Sequence, residues 1–166
     1  FFMGHVSGEA APSYRTPERE AIVSLIHLLQ AAPFQHVIID CVSNPVFDPL
    51  TLFALEAADT VVQVITPDVK GYEFQKAQLA WLGNSDIFQT DRHIRVSNLV
   101  FPFSPAEEAS ALCGGFDISL PYARQAAERM IAGELLSGFT EPSGIQLERE
   151  LNRLADRISK EANEHA

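Results

Sequence analysis

The segment from Phe34 to Asp68, FQHVIIDCVSNPVFDPLTLFALEAADTVVQVITPD, constrains the fold more tightly than any other part of this chain. Within it, Val37-Ile38-Ile39 is apolar at every position and stops at Asp40. Continuous apolarity, as opposed to alternation, marks a parallel strand covered on both faces. The segment therefore predicts a buried strand ending in an aspartate, a polar loop, a short helix and a second buried strand at Val61 to Ile65. A carboxylate at the carboxyl end of such a strand lies along the edge where open α/β sheets bind ligands.

The rest of the chain alternates in the same way. Thr16 reads as an N-cap with Pro17 opening a helix to about Ala31, whose apolar face is Ile22, Leu25, Ile26 and Leu29. A short strand at Met3 to Val6 precedes it, and Pro33 breaks it. Asp48-Pro49 repeats the cap-then-proline start for a helix to about Ala57. Further elements follow: a helix from Gly71 to Leu82, a strand from Ile94 to Leu99, a helix near Pro105 to Leu112, a strand from Ile118 to Leu120 and a helix from Tyr122 to Ile131. Strands and helices alternating at these lengths imply a doubly wound, mostly parallel Rossmann-like α/β sheet with helices on both faces.

Thr140 to Gly144 reads as a linker between a domain at 1–139 and a C-terminal amphipathic helix within 145–166. Leu147, Leu151, Leu154 and Ile158 form a narrow apolar seam on that helix. Such a seam suits docking on the helix's own domain, or a dimer with coiled-coil spacing.

Charge excludes some functions. With 22 acidic and 12 basic residues the formal net charge is −10, which disfavours a nucleic-acid surface or an anionic membrane contact in this portion. No apolar run approaches the roughly 20 residues that span a bilayer. Two cysteines, Cys41 and Cys113, show no metal-like spacing and fit a reduced, cytoplasmic setting.

Four elements in order carry a resemblance: the strand ending at Asp40, the run Ala58-Asp59-Thr60-Val61-Val62 through Pro67-Asp68, the strand HIRVSNLV from His93 to Val100, and GFDISLPY from Gly115 to Tyr122. Together, from about Thr16 to about Leu136, they resemble the MinD/ParA group of deviant P-loop ATPases, including the CooC-type maturation ATPases and the CpaE/TadZ proteins of pilus assembly. The resemblance implies that Asp40 is the Walker B-like carboxylate, placing Mg2+ through water and the attacking water. It implies that Asn98 contacts adenine, as a carboxamide can by donating to the ring nitrogen N7 and accepting from the exocyclic N6 amino group. Leu120, Pro121 and Tyr122 correspond to a segment bordering the base, although Pro121 equally fits the first residue of a helix. Ser43 and Asn44 fall in the switch II-like loop. The cofactors implied are ATP or ADP with Mg2+, and the partners a second copy of the chain and a protein of a positioning or assembly machine.

The chain departs from that family in two ways. No Gly-rich loop ending in Gly-Lys-Ser/Thr occurs, and the only lysines are Lys70, Lys76 and Lys160. Backbone N–H groups and a lysine are what a P-loop offers to phosphates. The expectation is therefore that the chain is the C-terminal portion of a longer ATPase. In addition, the loop Asp40-Cys41-Val42-Ser43-Asn44-Pro45 lacks the glycine that gives a switch its backbone freedom. Weak hydrolysis follows, and so does an alternative: a non-catalytic scaffold on a degenerate ATPase fold.

Overall fold

The computed structural model describes residues 17–45, 48–82 and 92–164. The chain divides into two compact units that meet between Ala57 and Ala58.

In the first unit, α1 (Arg19–Ala31) packs on α2 (Pro49–Ala57). Its core is Ile22, Ile26 and Ala54, with Cys41, Leu50, Phe53 and Ala57 around them. The apolar spacing of α1 thus buries the expected face. The helix begins later than the Thr16-Pro17 pattern predicts: Glu18 is the N-cap, without a side-chain cap bond, and Thr16 itself lies outside the described residues. Ala32 is extended, as the residue before Pro33 must be, and ends the helix. The start of α2 is as expected, with the Asp48 carboxylate accepting the Thr51 backbone N–H at 2.9 Å and the Thr51 hydroxyl. Such a cap stabilises a helix by about 1 kcal/mol.

The expected strand at Val37 to Asp40 is absent from the described structure: residues 36–42 belong to no helix or strand. Ile38 is 93% exposed, and Val37 and Ile39 are exposed as well. An apolar run signals a tendency to be buried, but a strand exists only where a neighbour accepts its ladder of hydrogen bonds. Among the described residues none does. The expected strand at Met3 to Val6 lies outside the described residues.

The second unit holds a three-stranded parallel sheet in the order β1 (Val61–Ile65), β2 (His93–Val100), β3 (Ile118–Pro121). The strands are joined by α3 (Val69–Leu82) and α4 (Ala106–Leu112) and followed by α5 (Arg124–Ala132) and α6 (Pro142–Glu164). Parallel partners share a face, so the register places Val62, Val64, Ile94, Val96, Ile118 and Leu120 on one side. There Ile94, Val96, Ile118 and Leu120 form the main core with Ala123, Phe139 and Leu147. On the opposite side the Gln63 amide donates to Gln75 of α3 at 2.9 Å. Helices thus cover both faces, and the architecture is an open α/β sheet of the Rossmann-like kind. Gly71 at the start of α3 has no substitute: a Cβ there would stand 2.2 Å from the Thr66 carbonyl oxygen.

The end of the chain is tied down more firmly than a linker would be. The Gln125 side-chain carbonyl accepts the Thr140 and Glu141 backbone N–H groups, and Phe139 is buried in the core. Helix α6 begins at Pro142, inside the stretch expected to be a linker. Leu147 of the seam is buried in the core, and Leu151, Leu154 and Ile158 pack against it. Of the two readings of the seam, docking on its own domain is the one adopted. Asp117 fastens the far end: one carboxylate oxygen accepts the Arg95 backbone N–H at 2.8 Å and the other pairs with Arg157 of α6 at 2.8 Å.

Candidate functional site

The parallel strands all end on one side, and three of the residues singled out from the sequence meet there. Asn98 is near the end of β2, Pro121 closes β3, and Tyr122 follows it. Pro121 is the last strand residue, paired with Val100, and not the first residue of a helix. The Tyr122 backbone N–H donates to the Val100 carbonyl at 2.9 Å, which holds the two strand ends together.

Leu120 does not belong to this edge. Its side chain is buried in the main core with Ile118 and Phe139, on the face covered by α6. Alternation explains the outcome: in a strand running Ile118-Ser119-Leu120, the first and third side chains share a face.

The edge is built around an irregularity. The β2–β3 register slips between Ser97 and Val100, and Leu99 within the slip has φ of +56°. A leucine in the left-handed region carries strain of about 1–2 kcal/mol, which the surroundings must offset. Asn98 does part of this by accepting the Leu99 backbone N–H on Oδ1 at 2.9 Å. That bond uses one of two lone pairs on the oxygen, so the carboxamide keeps acceptor capacity alongside its NH2 donors. Beside it, Ser97 is fully buried, and its hydroxyl has no hydrogen-bond partner. Together the slip, the positive φ and the orphaned hydroxyl concentrate local cost where open parallel sheets bind ligands.

Two residues at this edge were not legible as site residues in the sequence. Phe101 stacks on Tyr122 with ring centroids 4.6 Å apart and planes 23° from parallel. Phe103 stacks on Phe101 at 5.2 Å and 14°. The available signal was Phe101-Pro102-Phe103-Ser104 itself, two aromatics around a turn-forming proline directly after a strand.

The remaining candidates, Asp40, Ser43 and Asn44, lie in the first unit and are exposed. The loop they occupy is tied to α2 through Thr51, whose hydroxyl accepts the Val42 backbone N–H at 3.3 Å while donating to Asp48. Asp48, not Asp40, is the carboxylate that organises this loop. Burial pushes the Cys41 thiol up from its ordinary value of 9.0, and the neighbouring Asp40 and Asp48 carboxylates add to the effect against the Thr51 hydrogen bond. Cys41 is therefore a thiol at neutral pH and a poor nucleophile.

Among the described residues no three His, Cys, Asp or Glu side chains come together to hold a metal ion. A nucleotide's Mg2+ asks less of the protein, one or two carboxylates plus phosphate oxygens, and the exposed Asp40 has the right chemistry. Among the described residues no helix is long and apolar enough to cross a membrane. Comparison with family models finds no matching family, and comparisons with curated proteins and with solved structures find no match either.

Proposed function

We propose that the chain is the C-terminal portion of a MinD/ParA-like ATPase, in which ATP-dependent dimerisation positions or assembles a partner machine. A pilus or secretion apparatus fits better than partitioned DNA, because the net charge of −10 repels phosphate backbones. The observation that carries this reading is the shared carboxyl edge of β2 and β3, where Asn98, Pro121 and Tyr122 stand together beside a strained turn. In this reading Asn98 reads the adenine edge, and Asp40 places Mg2+ and water. The compartment in this reading is the cytoplasm.

The glycine-free loop after Asp40 and the exposed Val37-Ile38-Ile39 run favour a second reading. A scaffold that kept the sheet and lost hydrolysis would show both features. In either case, dimerisation does not use the Leu147–Ile158 seam, which is occupied within the chain.

Light scattering on the intact gene product separates the two. A shift from monomer to dimer that requires Mg-ATP supports the ATPase. A dimer of the same size with and without nucleotide supports the scaffold, and a monomer under both conditions overturns both.

A further inference from the structure

We infer that Phe103, Phe101 and Tyr122 form a stacking platform, and that the exposed face of Phe103 receives a planar heteroaromatic ring, the purine of a nucleotide. The three rings stand in one stack, Phe103 on Phe101 and Phe101 on Tyr122, within 14° and 23° of parallel. Phe103 ends the stack and is 83% exposed. Leaving a phenyl ring in water forgoes its burial energy, and isolated exposed apolar side chains are common enough to mean little. Three features set this one apart.

The first is rigidity. The turn that presents Phe103 is closed twice: the Ser104 hydroxyl accepts the Phe101 backbone N–H at 2.9 Å, and the Ser104 backbone N–H donates to the Phe101 carbonyl at 3.0 Å. Pro102 fixes one backbone angle between them. A ring held in place before a ligand arrives loses little freedom when it binds.

The second is the geometry of the stack. Near-parallel offset stacking continues readily with another flat ring, whereas aliphatic side chains gain nothing from parallel planes. Every nucleobase has a π-face, and stacking on an aromatic side chain is tolerant of which base it is.

The third is location. The platform grows from the end of β2, directly after the register slip and the positive φ of Leu99, at the edge where Asn98 offers a carboxamide. A flat ring laid parallel on a phenyl group matches a purine better than it matches an apolar peptide. The choice of a purine rests on the nucleotide reading above; the platform itself rests on the ring geometry.

The test uses adenosine, which has the base and no phosphates, titrated into the 166-residue chain and followed by NMR of the phenylalanine rings. The expected result is saturable ring-current shifts at Phe103 and Phe101. Phe103→Ala should weaken adenosine binding about tenfold or more, and Phe103→Trp should preserve it. Because the side chain is exposed, the folded spectrum of Phe103→Ala should match that of the unchanged chain except at Phe101, which loses its stacked ring, and at Tyr122, next in the stack. Ribose 5-phosphate should leave the Phe103 ring unmoved.

Equal adenosine affinity in Phe103→Ala would overturn the platform. So would an unshifted Phe103 ring at millimolar adenosine, or Phe103 shifts that depend on protein concentration instead, since those would show a protein contact. Each leaves the ATPase reading to stand or fall on Mg-ATP-dependent dimerisation of the intact protein. Conversely, adenosine contact at Phe103 without such dimerisation would overturn the ATPase and keep the platform.

Discussion

Asp117 and Arg157 pair at 2.8 Å, joining the residue before β3 to the C-terminal half of α6. The pair is partly exposed, so its own contribution is below about 1 kcal/mol. The second oxygen of Asp117 matters more, because it accepts the Arg95 backbone N–H at 2.8 Å. Asp117→Ala should therefore cost about 1–3 kcal/mol in chemical denaturation, and Arg157→Ala less than about 1 kcal/mol. Equal losses would show that the ion pair, not the backbone bond, does the fastening.

Leu147→Ala should destabilise the second unit by about 2–4 kcal/mol, because it opens a cavity beside Ile118, Leu120 and Phe139. Denaturation of the purified variant measures this. A seam reserved for a partner would behave differently: the variant would keep its stability and lose only self-association.

Stability should fall at alkaline pH. Burial raises the Cys41 and Cys113 thiols above their ordinary value of 9.0 in the folded chain. The sign follows from proton counting: above about pH 9 the unfolded chain loses these protons first, so unfolding is favoured as pH rises. The contribution is fully present below that point and lost as pH climbs through the raised folded values. Replacing both cysteines by Ala should flatten this part of the stability profile, and an unchanged profile would assign the loss to other groups. Alkylation by iodoacetamide at pH 7.5 should be slow at both positions until denaturant is added.

Much of the fold could be read from local pattern. The spacing of Ile22 and Ile26 reports burial that the structure bears out, whereas the strand expected to be buried from Val61 to Ile65 buries Val61 and Ile65 and leaves Val62 and Val64 exposed. Asp48-Pro49 marks the start of α2 because capping chemistry is local. Val37 to Ile39 carries the same kind of signal as Val61 to Ile65, yet only the second finds a neighbouring strand. Pairing is a property of the whole sheet, and a run of side chains does not encode it. The resemblance, not periodicity, singles out Asn98, Leu120, Pro121 and Tyr122, and strand alternation puts the Leu120 side chain in the core. Periodicity does not single out Phe103, because it expects a large apolar side chain to be buried, and the stack beneath it needs Phe101 and Tyr122 brought together by the pairing of β2 with β3.

A nucleotide held at the carboxyl edge of β2 and β3, as proposed above, would perturb the backbone amides there. Titrating Mg-ATP into the intact protein, with backbone amide shifts followed by NMR, tests it most directly. Saturable changes should cluster at Asn98, Leu99 and Tyr122, and Asn98→Ala should weaken binding about tenfold, the loss of one well-placed bidentate contact. Saturation with no change at these three amides, or no saturation at millimolar Mg-ATP, would contradict the account.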